Sequence, residues 1–134
     1  MDVGFRFCST QPIRWRDIDA FGVVNNAVYL SLFEQARFEY FRDLGLLVSG
    51  DISFVLGETT VRYHAPGRRG MTVAVGVRTV RLGTKSFDME FEARADGTVL
   101  VTGKATLVWV DRDLASQPIP ETARERLRLF EGLP

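Results

Sequence analysis

Asp17 and Asp19 stand two residues apart in the run Arg-Trp-Arg-Asp-Ile-Asp-Ala-Phe-Gly-Val-Val-Asn-Asn of residues 14–26, just ahead of an amphipathic segment that reaches Gly45. A carboxylate in such a place can attack a carbonyl carbon or take a proton from water. The oxygen that gains charge then needs donors, and a helix start supplies backbone amides without intrahelical partners, in a field that favours anions. An aspartate before a glycine is also an ordinary turn residue, and on residue type alone that is the commoner role for Asp19. Asp17 follows Arg14 and Arg16 and reads as a solvated or salt-bridged neighbour of one of them, with a charge that can tune Asp19.

Other chemistry is scarce. Cys8 is the only cysteine and His64 the only histidine, in different segments, so a paired thiol nucleophile and a zinc constellation both lack members. No metal and no redox cofactor is expected. His64 shares parity with Arg62 and reads as a surface or interface residue. Arg68, Arg69, Arg81 and Lys85 fall at turns between strands, where solvated loop charge is the plain reading.

These residues need a frame. Asn25 or Asn26 is suited to cap a helix that starts at Asn26 and stops at Gly45, where a left-handed residue costs least. Steps of ~100° put Tyr29, Leu30, Phe33, Ala36, Tyr40, Phe41 and Leu44 on one arc, with Ser31, Glu34, Gln35, Glu39, Arg42 and Asp43 opposite. Arg37 breaks the apolar arc, and the expected arrangement is a packed stem whose head snorkels or pairs with Glu34.

Upstream, residues 5–15 read as an extended segment interrupted at Pro12, and Val48 to Asp51 read as a short polar loop. Phe54 to Ala65, Met71 to Leu82, Ser86 to Ala95 and Thr98 to Val110 read as four strands of an antiparallel meander. Alternation is clearest where Phe87, Met89, Phe91 and Ala93 interleave with charged residues, and Asp96-Gly97 is a favoured type I′ hairpin pair. A terminal helix is expected from Ile119 to Phe130, with Pro120 in its first turn. The class is α+β: one long helix covering a curved five-strand antiparallel sheet, plus a C-terminal helix.

The 134 residues fit one domain, 1–134. Seventeen basic and seventeen acidic residues cancel, which gives no reason to expect nucleic acid or an anionic membrane as partner. A lone cysteine and the lack of a signal-like apolar run point to the cytoplasm.

The run D-I-D-A-F-G-V-V-N-N-A-V-Y-L followed by F-E-Q-A-R resembles the signature of the 4-hydroxybenzoyl-CoA thioesterase-like acyl-CoA thioesterases, a branch of the hotdog-fold superfamily. The Tyr-x-x-Pro-Gly of residues 63–67, V-R-L-G-T-K-S-F of residues 80–87 and P-I-P of residues 118–120 are also similar to that family. The resemblance implies a hotdog fold and hydrolysis of an acyl-CoA to free acid and coenzyme A. It implies homodimers or homotetramers with active sites at the subunit interface. Asp19 would be the catalytic carboxylate, as nucleophile or general base, with Asn26 at the oxyanion end. Gly22, Val23, Tyr29, Arg81 and Lys85 would contact substrate, the last two at the nucleotide phosphates. An acyl-carrier-protein thioesterase and a non-catalytic acyl-CoA binder are the alternatives, and Asp19 argues against the binder.

Overall fold

In the computed structural model, which describes residues 4–47 and 53–134, the chain runs in the order of eight elements. These are β1 (Phe7–Pro12), a 3-10 turn (Trp15–Asp17), α1 (Val28–Asp43), β2 (Phe54–Tyr63), β3 (Thr72–Leu82), β4 (Ser86–Ala95), β5 (Thr98–Trp109) and α2 (Glu121–Glu131). The strands form one antiparallel sheet in the order β1-β3-β4-β5-β2, and α1 lies against it. The polar loop expected at Val48 to Asp51 lies outside the described residues.

The α+β architecture is the expected one, but its strand order is not a four-strand meander. Only β3, β4 and β5 are joined by successive hairpins; β2 pairs with β5 and the chain then crosses to β3, whose other flank is held by β1. The Pro66 to Gly70 connection is therefore a crossover between sheet positions, and β2 is left as an edge strand. The β4–β5 hairpin follows the sequence reading, because Asp96 (φ 51) and Gly97 (φ 76) both adopt the positive φ that a type I′ turn requires.

Alternation along β4 buries Phe87, Met89, Phe91 and Ala93 beneath α1. The helix answers with aromatic rings: Phe33 stacks on Phe91 (5.1 Å between centroids) and Phe41 meets Phe54 and Phe87. Burying rings of this size is the largest favourable contribution to such a core. The buried stripe differs from the expected arc at one step, since Leu32 is buried and Leu30 is exposed.

The helix begins at Val28 rather than Asn26. Asn25 Oδ1 accepts the Ala27 amide at 2.9 Å, an Asx turn that delays the first helical residue. At the other end Gly45 (φ 72) donates to Arg42 O and Leu46 to Phe41 O, the expected left-handed stop. The terminal helix has Pro120 just outside its first turn and Gly132 (φ 69) as its left-handed cap.

Candidate active site

Upstream of the helix the chain is not a strand to Trp15. Pro12 ends β1, and the chain turns back so that Asp17 is only 2% exposed, whereas Trp15 points outward. The Asp17 carboxylate accepts Arg14 N at 2.7 Å and Arg14 Nη2 at 3.1 Å, closing the 3-10 turn. Burial alone would raise its pKa, but these bonds and the Arg14 charge outweigh it and hold the carboxyl below the ordinary range. Asp17 is thus an anchor, buried rather than solvated. Its carbonyl also accepts the Asn25 amide at 2.8 Å and ties the turn to the helix entry.

Between these two ties the chain makes a five-residue loop headed by Asp19. Asp19 N donates to Val23 O (2.8 Å), and Asp19 Oδ1 accepts Phe21 N (2.8 Å) and Val23 N (3.3 Å). Gly22 has φ 83, with nothing within 4 Å of where a Cβ would stand, so the loop needs glycine there for conformation. One oxygen of Asp19 is therefore fixed by the loop it heads, while no donor among the described residues meets the other. Val24 N donates to Gly67 O at 2.9 Å and Val23 bridges to Arg68, fastening the loop to the crossover.

Asn26 stands exposed at the helix entry, where its carbonyl accepts the Tyr63 phenol at 2.9 Å. Its amide meets no acceptor among the described residues and remains available to an anion. Tyr29 lies behind this entry, buried edge-to-face on Tyr63, with its hydroxyl against Gly67 and no hydrogen-bond partner among the described residues. Burial raises its pKa.

Arg81 and Lys85 are elsewhere. The Tyr63 end of β2 carries the helix entry; at its other end Phe54 pairs with Trp109, whose amide donates to Lys85 O. Ten strand residues at ~3.3 Å each separate these ends by roughly 30 Å. Within one chain, then, Asp19 and the Arg81–Lys85 turn do not meet. Arg81 is also engaged, since its Nε donates to Asp88 Oδ2 at 2.6 Å.

Two cavities, which the sequence did not reveal, flank α1 on its open side. The larger, about 920 Å³, runs from Gln11 and Arg14 across Ser31, Gln35 and Phe38 to Val55. The smaller, about 150 Å³, lies between α1 and the inner face of β2. Asp19 lines neither. Arg37 lines both: its stem is packed, as expected, with 8% of the residue exposed, and no ion pair joins it to Glu34 among the described residues. Its guanidinium lies instead 5.8 Å from the Phe91 ring centroid. No three His, Cys, Asp or Glu side chains gather as metal ligands among the described residues, and no described helix is long and apolar enough to cross a membrane.

Residues 13–127 match the family model described as the thioesterase-like superfamily. A thioesterase from Thermus thermophilus, solved with coenzyme A and zinc, is 41% identical, superposes with a TM-score of 0.89, and covers 99% of this chain and 100% of its own. The acyl-CoA thioesterase YbgC of Haemophilus influenzae is 33% identical over 114 residues, 80% of this chain and 79% of YbgC. The acyl-acyl carrier protein thioesterase ATL2 of Arabidopsis thaliana is 26% identical over 128 residues, 89% of this chain. This chain spans 66% of ATL2, just under two thirds of that relative. The sheet wrapped on one long helix, the loop headed by Asp19 and these matches lead to one conclusion: the chain belongs to the thioesterase-like superfamily and has its hotdog fold.

Proposed function

We propose that this chain hydrolyses acyl thioesters of coenzyme A to the free acid and the thiol. The observation that carries the reading is Asp19: one carboxylate oxygen is pinned by Phe21 and Val23 amides, and the other is open beside a helix entry whose Asn26 amide has no partner among the described residues. In the direct route Asp19 adds to the thioester carbonyl, the C–S bond breaks, the thiolate leaves and takes a proton, and water then splits the mixed anhydride. In the base-assisted route Asp19 takes a proton from the attacking water. Either route builds negative charge on the carbonyl oxygen, where an amide donor is worth ~3 kcal/mol. The relatives support the substrate class, since YbgC is an acyl-CoA thioesterase and the Thermus thermophilus thioesterase holds coenzyme A.

Two copies fit the reading better than one. Edge strand β2 has its outer flank unpaired by any described strand, and Val55 and Leu56 on it are exposed. Antiparallel pairing of two such edges sets the Tyr63 end of one copy beside the Phe54 end of the other. That arrangement carries Arg81 and Lys85 of one copy toward Asp19 of the other, so that basic side chains can hold nucleotide phosphates. Gly22, Val23 and Tyr29 stay in the reading as the loop and helix entry that the thioester end approaches.

A second reading, hydrolysis of acyl-carrier-protein thioesters, is favoured by the similarity to ATL2. Turnover of matched acyl groups on coenzyme A and on carrier protein separates the two. Efficient cleavage of the coenzyme A esters is expected, and cleavage of carrier-protein esters alone would replace the first reading by the second.

A further inference from the structure

Arg124, half-buried near the start of α2, is aimed at the turn between β3 and β4 that carries Lys85. Its Nη2 donates to Gly83 O at 2.7 Å and to Thr84 O at 3.3 Å. Two more donors close on the same turn: Ile119 N meets Thr84 O at 2.9 Å, and Trp109 N meets Lys85 O at 2.8 Å. Glu121 stands 4.0 Å from Arg124 Nε and is mostly exposed, a solvent-screened contact that leaves the guanidinium to the turn.

Those bonds decide which way the turn faces. In a trans peptide the carbonyl and the amide point in opposite directions. Drawing Gly83 O and Thr84 O in toward Arg124 therefore turns the amides that share those peptides, Thr84 N–H and Lys85 N–H, outward. Neither amide has an acceptor among the described residues, and both residues are exposed. Consecutive amides turned to one side make a concave nest that suits an anion. Arg81 borders it: a Cβ on Gly83 would stand 2.7 Å from Arg81 Nη1 and 2.9 Å from Ser86 O, so glycine lets the guanidinium lie against the turn. Gly83 is also the weak point, because a peptide beside glycine rotates easily. Arg124 is the only donor recorded for Gly83 O among the described residues. Without it the peptide is free to present a carbonyl, instead of an amide, to an incoming phosphate.

We infer that Arg124 is a positioning residue for the nucleotide end of the substrate: by holding the Gly83–Thr84 peptide it keeps the Thr84 and Lys85 amides as a phosphate nest beside the Lys85 side chain. The inference rests on the coenzyme A thioester reading above and adds backbone donors to the two basic side chains named there. In this arrangement α2 serves binding and takes no part in bond breaking.

Hydrolysis of one acyl group carried on coenzyme A and on pantetheine, which ends before the nucleotide, tests this in the full-length protein. Wild type is expected to favour the coenzyme A ester in kcat/KM. Arg124→Ala should cut kcat/KM on that ester about 10-fold, the low end for a hydrogen bond to a charged group, through KM with kcat unchanged. The pantetheine ester should be cleaved as by wild type, and Arg124→Lys should keep part of the preference. Equal loss on the two esters overturns the inference, since that is what a brace for α2 alone would give, and so does an unchanged KM. A wild type that cleaves both esters equally well also overturns it and leaves the hydrolase reading intact. In the wild-type protein the Thr84 and Lys85 amide resonances should shift as coenzyme A is added. A titration that leaves them in place overturns the inference whether or not the variants fold. If no thioester of coenzyme A, pantetheine or carrier protein is hydrolysed, the hydrolase reading falls and this inference with it.

Discussion

The Tyr40 phenol donates to Glu131 Oε2 at 2.6 Å, joining the last turn of α1 to the last turn of α2. Thr79 completes the junction: its hydroxyl lies 3.0 Å from the same phenol, and its amide donates to the same Glu131 oxygen at 2.9 Å. A terminal helix with only Ala123 and Leu127 buried owes much of its placement to such a clamp. Burial, and then the bond to Glu131, push the Tyr40 pKa far above its ordinary value, so the phenol remains a donor throughout the working range.

Tyr40→Phe is accordingly predicted to destabilise the fold by about 1.5–3 kcal/mol, the range for a hydrogen bond to a charged group. Hydrogen exchange should speed up most in α2, while kcat changes little because the clamp is remote from the Asp19 loop. An unchanged denaturation midpoint would show that α2 is held by its apolar contacts alone.

Asp17 gives a pH signature. Its folded pKa is depressed below the ordinary 3.8, so its ionised form stabilises the fold above that value, and the contribution is lost as pH falls through the folded pKa. Asp17→Asn should cost about 1–3 kcal/mol at neutral pH, because an amide cannot accept all the bonds that Arg14 donates. The gap between wild type and variant should narrow on the acid side of 3.8. Denaturation midpoints measured across that range check this, and a gap independent of pH would contradict it.

Much of the frame was legible because its signals are local. Each inward residue of β4 alternates with a polar one, and Asp96-Gly97 carries its turn geometry in its own types. The position of β2 is a different matter: any of the strands could extend the sheet, and the choice depends on β1, distant in sequence, having taken the flank of β3. Trp15 shares parity with Ile13 and so mimics a strand residue, yet the 3-10 turn rotates it outward and buries Asp17 in its place. Asp19 was legible as a motif position, whereas the bonds that fix one of its oxygens depend on how the loop closes. For Arg37 the spacing to Glu34 suggested a partner, but a one-turn separation does not specify rotamers, and Glu34 acts on Arg37 through its field without an ion pair among the described residues.

The sheet geometry makes the nucleotide contacts testable between copies. Arg81→Ala and Lys85→Ala should each raise KM, with a penalty that shrinks as salt screens the wild-type contact. Asp88→Asn should lower KM by releasing the Arg81 fork from its present acceptor. If each site combines Asp19 of one copy with the basic turn of another, mixing the Asp19→Asn protein with the Arg81→Ala/Lys85→Ala protein should generate one unaltered site per mixed dimer. Turnover at wild-type KM should then reappear. Mixtures that remain as impaired as their components would separate the basic turn from the site.

The reaction itself rests on Asp19→Asn. Asparagine retains Oδ1, so the acceptor for the Phe21 and Val23 amides survives and the loop should keep its shape. Stability should stay within ~0.5 kcal/mol of wild type, as for substitutions that remove no buried partner. What disappears is the charge that attacks the carbonyl or draws a proton from water, so kcat should fall by at least ~100-fold, about 3 kcal/mol of barrier. Asp17→Asn makes the opposite pairing of effects, losing stability at its buried ion pair with Arg14 while sparing most of the chemical step. A purely capping Asp19 would instead keep both stability and kcat in the asparagine variant. Single-turnover hydrolysis in ¹⁸O-labelled water then tests the direct route, because a mixed anhydride opened at the Asp19 carbon leaves the first molecule of product wholly unlabelled and the label in Asp19. Near-wild-type kcat in Asp19→Asn, or equal losses in the two variants, would remove Asp19 from the chemistry.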